Sequence, residues 1–165
     1  MDASDPDAPG PVRRKKPAIS LEARALRLLS GREHSRDELA RKLAAHVESR
    51  EALDALLNDL VRRNLLSDER YAVARSRQLA RKFGPLRIEH ALRSKGLDKE
   101  TVERSVGAVK LSALENARSI WAKRFGKAPT DALAKGKQMR FLQMRGFSFD
   151  IIRAVVPHIG ADLEE

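Results

Sequence analysis

Lys95-Gly96-Leu97 and Arg145-Gly146-Phe147 repeat one step of a basic residue, a glycine and an apolar residue, 50 positions apart. Tyr71 and Trp121 repeat an aromatic residue at the same separation. A fixed period of this length is typical of stacked supersecondary units, each too small to bury its apolar face alone. The sequence therefore predicts an extended array of repeats, a shape that usually binds long partners.

The composition favours α-helix along nearly the whole chain. Its 165 residues are 42% hydrophobic but only 4% aromatic, are rich in Ala, Leu, Arg, Lys and Glu, and show almost no β-branched alternation. We expect an all-α protein, with three tandem three-helix repeats forming an elongated, curved array. No cysteine is present, which excludes disulfides, thiolate catalysis and Cys-ligated zinc.

Local signals divide the chain into three repeats and two tails. Residues 1–18 are rich in Pro and contain a basic cluster, which predicts a disordered tail. The repeats are predicted at residues 19–66, 67–109 and 110–157, with a C-terminal tail at 158–165. We find no apolar run of membrane-spanning length and no hydrophobic signal stretch, so we expect a cytoplasmic protein without a membrane contact.

Helix starts carry recognisable caps. Ser35-Arg36-Asp37-Glu38 predicts a capping box, in which the serine and the glutamate each satisfy the other's backbone N–H. Ser67 predicts the start of a helix running from about Asp68 to Phe83, where Gly84-Pro85 stops it and begins the next.

The predicted core positions repeat with the glycines. Leu92, Val102 and Val106 align with Leu142, Ile152 and Val156 at the same separation of 50. In the third repeat we expect a first helix that buries Leu111, Leu114, Trp121 and Phe125. The first repeat fits at an offset near 49 but has no glycine at the matching place, as expected of a terminal repeat that is unstacked on one side.

Positive charge is concentrated in the second and third repeats. The formal net charge is +10; residues 70–97 hold eight Lys or Arg and one Glu, whereas residues 19–69 hold nine basic and ten acidic residues. On a helical wheel Arg70, Arg77 and Arg81 lie opposite an apolar face. Such asymmetry attracts a polyanion, and its phosphate contacts are independent of base sequence. The predicted binding residues are Arg70, Arg77, Arg81, Lys82, Arg87, Arg93, Lys95, Lys137, Arg140 and Arg145. For Lys95 and Arg145, stabilisation of a helix C-terminus accounts equally well for the cation.

Five ordered segments resemble the RecX family of recombinase regulators over about residues 19–156. They are Arg32-Glu33-His34-Ser35-Arg36-Asp37-Glu38-Leu39, Asp68-Glu69-Arg70-Tyr71-Ala72, Gly84-Pro85-Leu86-Arg87-Ile88, Lys95-Gly96-Leu97 and Arg145-Gly146-Phe147-Ser148. The resemblance implies a non-enzymatic protein that binds the RecA nucleoprotein filament, lies along its helical groove, and restrains strand exchange and ATP turnover. The expected partners are therefore RecA and single- or double-stranded DNA, with no cofactor or metal, and we expect a monomer.

Two other functions fit these residues less well. The order of leucines from Leu39 to Leu66 resembles the helical half of a winged-helix transcription regulator, but a β-hairpin wing should follow where residues 67–83 predict a helix. An enzyme is disfavoured because the four histidines are scattered and no phosphate-cradling loop or nucleophile elbow is present.

Overall fold

The computed structural model describes residues 19–161, so the predicted N-terminal tail and residues 162–165 lie outside it. Within that range the chain forms nine α-helices and no strand, which confirms the all-α prediction. The helices are α1 (Leu21–Gly31), α2 (Arg36–Leu43), α3 (Arg50–Arg62), α4 (Asp68–Ala80), α5 (Pro85–Arg93), α6 (Lys99–Leu111), α7 (Ala113–Arg124), α8 (Ala132–Met144) and α9 (Phe149–Val155). A short 3-10 turn, Ala44–His46, separates α2 from α3.

Side-chain caps begin most of these helices. The hydroxyls of Ser20, Ser35, Ser49 and Ser67 accept a hydrogen bond from the backbone N–H three residues ahead. Asp98 and Asp131 do the same with a carboxylate at α6 and α8. Each cap satisfies an N–H that has no partner inside the helix, so the sequence itself fixes where the helix begins.

Each set of three helices encloses a hydrophobic core of its own. Leu39, Leu57 and Leu60 belong to the core of the first repeat, and Ile88 and Leu92 to that of the second. The third core is built around Trp121, Leu142, Phe147, Ile152 and Val156. Because no core cluster mixes residues of different repeats, the fold is a tandem array of three-helix units; its curvature stays a prediction.

The first junction joins the start of α2 to the second repeat. The Arg36 backbone N–H donates to Asp68 Oδ1 at 2.7 Å, and Arg70 Nε lies 2.8 Å from Glu33 Oε1. The Asp37 carboxylate occupies the place where a side chain on Gly96 would stand, and Gly96 has a φ of +76°. The positive φ disfavours a residue with a Cβ at position 96, whereas the Asp37 carboxylate is the end of a side chain that can move aside.

The second junction joins the start of α5 to the third repeat through backbone hydrogen bonds. The N–H groups of Gly84 and Leu86 donate to the carbonyls of Arg145 and Gly146 at 2.7 and 3.1 Å. The backbone of Arg87 fills the space beside Gly146, whose φ is +86°. Adding 50 to both members of the Asp37–Gly96 pair gives Arg87–Gly146, so the two junctions lie at equivalent positions, although a side chain makes the first contact and backbone makes the second.

This equivalence explains why the repeats carry a glycine only twice. The glycine of one repeat receives the helix start of the repeat before it. In residues 19–161 no repeat precedes the first one, whose matching turn is Ala44–His46, so no close backbone approach requires a glycine there.

Three details of the sequence prediction were wrong. Leu111 and Leu114 are 91% and 37% exposed, because α6 ends at Leu111 and the chain turns at Ser112 before α7. Only half of the capping box forms: Ser35 accepts from the Glu38 N–H at 3.1 Å, but the Glu38 carboxylate binds the Arg32 guanidinium instead. Helix α4 ends at Ala80 rather than Phe83, because the next residues turn back onto the Leu79 carbonyl.

The structure of the chain after α3 decides between a three-helix repeat array and a winged-helix domain. Residues 68–80 form α4 instead of a β-hairpin, so the wing that a winged-helix domain requires is missing from this place.

Candidate protein and nucleic-acid interface

The ten predicted binding residues separate into two groups in the structure. Four are held by other groups of the protein, and six make no ion pair within residues 19–161. The held residues are Arg70, Arg87, Arg93 and Arg145. The six others are Arg77, Arg81, Lys82, Lys95, Lys137 and Arg140; all are exposed except Lys95, which is half-buried.

Arg70 is neutralised at the first junction. Besides the ion pair with Glu33, its Nη1 donates to Asn64 Oδ1 at 2.8 Å. Asn64 itself has a φ of +56°, a conformation that Asn tolerates better than most residues. Arg70 therefore links the turn after α3 and the segment before α2 to α4, and is less available to a partner than its position on the wheel suggested.

Arg87 and Arg145 bond to each other's repeats across the second junction. Arg87 Nη1 donates to the Met144 carbonyl at 3.0 Å, at the end of α8. Arg145 Nη1 donates to the Lys82 carbonyl at 2.9 Å, in the turn after α4. Each guanidinium thus satisfies a carbonyl that the neighbouring repeat leaves unpaired at the end of a helix or in the turn after it.

Each of these arginines also stacks on an aromatic ring. The guanidinium carbon of Arg87 lies 4.3 Å from the centroid of Phe83, and that of Arg145 lies 4.5 Å from the centroid of Phe141. Both pairs share the spacing Phe-x-x-x-Arg, which is the signal in the sequence that could have identified them. Stacking holds the guanidinium in the orientation that reaches the carbonyl across the junction.

Arg93 makes a local ion pair. Its Nη2 lies 2.6 Å from Glu89 Oε1, one helical turn earlier on α5. The pair is on the surface, where such contacts contribute little to stability, but it offsets the charge of Arg93 toward a polyanion.

A groove runs between α4 and α6, and two of the predicted cations line it. Its volume is about 540 Å³, and Arg77 and Arg81 stand along the α4 side. Small residues, including Ser76, Ala80, Ser105 and Ala108, line the groove between the two helices. This groove was not predicted from the sequence, although the small residues one turn apart on each helix are visible there.

His34 has a structural place rather than a chemical one. It is buried, and its Nδ1 lies 3.0 Å from the Arg32 carbonyl. Burial lowers the pKa of His34, because a charged imidazolium is poorly solvated there, and so favours the neutral ring. No cluster of three or more His, Asp or Glu residues in the described range is placed to hold a metal ion. None of the helices in residues 19–161 is long and apolar enough to cross a bilayer.

Comparisons with known proteins agree with this architecture. Residues 67–105 match the family model described as the second three-helix domain of RecX, and residues 112–156 match the third. A Regulatory protein RecX from Leptothrix cholodnii is 43% identical over 141 residues, covering 86% of this chain and 90% of the relative. One from Chromobacterium violaceum is 41% identical over 143 residues, covering 87% and 92%.

A solved structure shares the fold. The crystal structure of RecX from Lactobacillus salivarius superposes with a TM-score of 0.71 at 24% identity, covering 82% of this chain and 91% of that one. The structural match shows the fold, and the curated relatives, which are named as regulatory proteins, show the family. The chain belongs to the RecX family of regulatory proteins.

Proposed function

We propose that this protein binds the RecA–DNA nucleoprotein filament along its helical groove and inhibits its recombinase and ATPase activities. Membership of the RecX family supports the regulatory role, and the resemblance carried by the five sequence segments supplies RecA as the partner. The single structural observation that carries the proposal is the equivalence of the two junctions. Because Asp37–Gly96 and Arg87–Gly146 pair equivalent positions of successive repeats, the three repeats follow one another in a regular series.

The size of such a series suits a helical polymer. A helix of 13 residues, such as α4 or α8, is about 20 Å long. Three repeats of that dimension reach roughly 60 Å. One molecule is then long enough to contact several neighbouring protomers of a filament.

Inhibition follows if the protein prefers one arrangement of those protomers. A ligand shifts an equilibrium only through its different affinities for the two states. We propose that the array wedges across a protomer interface and disfavours the rearrangement that ATP hydrolysis and filament growth require. An array with loose junctions would adapt to either arrangement and would not discriminate between them.

The unpaired cations supply attraction to DNA within the filament and to free DNA. Arg77, Arg81, Lys82, Lys95, Lys137 and Arg140 have no carboxylate partner in the described range, so their charge is available to phosphates. Arg70, Arg87, Arg93 and Arg145 stay in the proposed surface, but with smaller contributions because other groups hold them. We further propose that the protein acts as a monomer in the cytoplasm.

The decisive experiment adds the purified protein to a RecA filament preformed on single-stranded DNA. ATP turnover and co-sedimentation with the filament are measured over a range of protein-to-RecA ratios. We expect inhibition at substoichiometric ratios, in parallel with binding to the filament. Absence of inhibition at every ratio would refute the proposal, as would ATPase suppression without binding to the assembled filament.

A further inference from the structure

The groove between α4 and α6 belongs to neither junction. It is lined by one face of α4 and by Arg81 just after that helix, by one face of α6, and at one end by Ser112 and Asn116. Its volume of about 540 Å³ leaves room for several side chains of another molecule. The groove is therefore a free surface, mostly of the second repeat, and it is distinct from the hydrogen bonds that form the two junctions.

One buried polar group in the groove lacks a partner. Ser76 is 2% exposed, and its Oγ makes no hydrogen bond to any group in residues 19–161. A buried hydroxyl without a partner destabilises the protein, which most buried polar groups avoid by pairing. Ser76 lies in the groove lining, next to the small residue Ala80 one turn later. A polar group of a ligand bound in the groove would supply the hydrogen-bond partner that the Ser76 hydroxyl lacks.

The shape of the groove fits an α-helix. Both walls are helices, and the lining of α4 extends over roughly 18 Å, about three helical turns. Ser76, Ala80, Ser105 and Ala108 are small, which lets a third helix approach to the interaxial distance of about 8 Å seen at tight helix contacts. Val73 and Val109 add apolar surface to the lining.

The charges along the groove indicate which class of partner it binds. Glu69 and Arg104 form a 2.8 Å ion pair and neutralise each other. Arg77 and Arg81 make no ion pair within residues 19–161, so the net charge along the groove is positive. Between these arginines the floor of the groove is apolar and hydroxyl-bearing, a surface that a phosphate backbone would leave uncovered, which disfavours nucleic acid as the occupant. A carboxylate on an amphipathic helix complements both features.

We propose that this groove docks an amphipathic helix of the filament protein, with a hydrogen-bonding side chain facing Ser76, small or apolar residues facing Ala80, and carboxylates facing Arg77 and Arg81. This inference rests on the proposed function, since it names the surface by which the second repeat contacts a RecA protomer. It assigns Arg77 and Arg81 to a protein–protein contact and leaves the phosphate contacts to the other unpaired cations.

Site-specific cross-linking tests the occupant directly. A photoreactive leucine analogue replaces Val73, which is 41% exposed in the groove, in the full-length chain. The matched control places it at Glu103, which is exposed on α6 but outside the groove lining. With a preformed RecA filament on single-stranded DNA, we expect cross-links from position 73 alone, to a RecA helix that bears carboxylates. Cross-links to DNA or to a second copy of this chain, or none at all, would overturn the inference.

A second variant separates this inference from the proposed function. Ala108→Leu fills the groove from a surface position, and Ala74→Leu makes the same change on the exposed side of α4, outside the groove. We expect Ala108→Leu to weaken filament binding by about tenfold or more at unchanged helicity, and Ala74→Leu to have little effect. If wild type inhibits the ATPase and Ala108→Leu binds equally well, the groove inference alone fails. If wild type does not bind the filament, the proposed function fails first.

Discussion

The backbone nitrogen of Arg87 lies 2.5 Å from the point where a Cβ on Gly146 would stand. Gly146 also has a φ of +86°, which side chains rarely adopt. Gly146→Ala should therefore destabilise the third repeat by about 2 kcal/mol or more, because strain and displacement of the α5 start add together. Urea unfolding followed by the fluorescence of Trp121, the one tryptophan in the sequence, measures this effect.

Gly107→Ala is the matched control for this prediction. Gly107 lies inside α6, and a Cβ there would meet no atom within 4 Å. Alanine should stabilise the helix by about 0.5–1 kcal/mol, because it loses less backbone entropy on folding. Equal effects of the two changes would contradict the role assigned to the junction.

A buried hydrogen-bond pair fixes the core of the third repeat. Trp121 Nε1 donates to Gln138 Oε1 at 2.8 Å, and Gln138 Nε2 donates to the Lys127 carbonyl at 3.1 Å. Gln138→Leu leaves the indole N–H and the carbonyl unpaired, so we expect a loss of about 1–3 kcal/mol. The measurement is the urea midpoint of Trp121 fluorescence. Gln143→Leu, on the exposed side of α8, should leave that midpoint nearly unchanged.

The array of repeats could be predicted because the sequence itself shows both the 50-residue period and the residues that begin the helices. Tyr71 and Trp121 recur 50 residues apart and are both buried, at 5% and 8% exposure, as expected of core positions. Ser35, Ser67 and Asp98 begin helices through bonds to the N–H three residues ahead, a relation that a sequence displays directly.

The binding surface was less predictable because pairing is decided by distant residues. Arg70 meets Glu33 across 37 positions, and Arg145 meets the Lys82 carbonyl across 63. A helical wheel gives the direction of a side chain within one helix but not the groups that another repeat brings to it. The groove could not be predicted for the same reason, since its lining combines residues of α4 and α6.

His34 should make the stability of the first repeat depend on pH. Because burial lowers the pKa of His34 in the folded protein, the unfolded chain takes up the proton first as pH falls. The stabilising contribution is then complete above an unfolded pKa of about 6.5 and is lost as pH falls below that value. Urea unfolding followed by circular dichroism from pH 7.5 to 5.5 should show a decline that His34→Leu reduces. The surface change His90→Gln should retain the decline, and a wild-type stability that rises toward pH 5.5 would contradict the prediction.

Unpaired and paired cations should differ in their effect on DNA binding. Lys137→Gln with Arg140→Gln removes two cations that have no ion pair in residues 19–161, both exposed on α8. For single strands, the slope of log affinity against log salt should become shallower by about 0.7 for each phosphate that the variant no longer neutralises. Fluorescence anisotropy of a labelled oligonucleotide at several salt concentrations gives this slope.

Arg62→Gln with Arg93→Gln is the control with the same change in net charge. These arginines pair with Asp59 and Glu89, so little of their charge is available to phosphates. The control should alter the slope much less than the α8 variant does. Equal slopes in the two variants would mean that net charge alone, rather than unpaired cations, determines DNA binding.

The reciprocal arginines should control how rigidly the third repeat is held. Methionine at positions 87 and 145 keeps an apolar stem near Phe83 and Phe141 but removes the donors to the Met144 and Lys82 carbonyls. Because each repeat keeps its own core, the repeats should stay folded while their relative orientation becomes less defined. Inhibition of the RecA filament should weaken as the orientation becomes less defined, since a loose array adapts to either arrangement of protomers.

Distances between two spin labels, measured by pulsed electron paramagnetic resonance, test the predicted change in repeat orientation. The chain has no native cysteine to interfere with labelling. Spin labels at Ala74→Cys on α4 and Ala122→Cys on α7, both exposed positions, report the orientation of the two repeats. The distance distribution should broaden in the Arg87→Met, Arg145→Met variant. It should stay narrow in an Arg75→Met, Arg118→Met control, because within residues 19–161 the Arg75 side chain bonds only to Gln78 on the same helix, and Arg118 is exposed on α7. An unchanged distribution together with a failure to inhibit would instead assign Arg87 and Arg145 to direct contact with the filament.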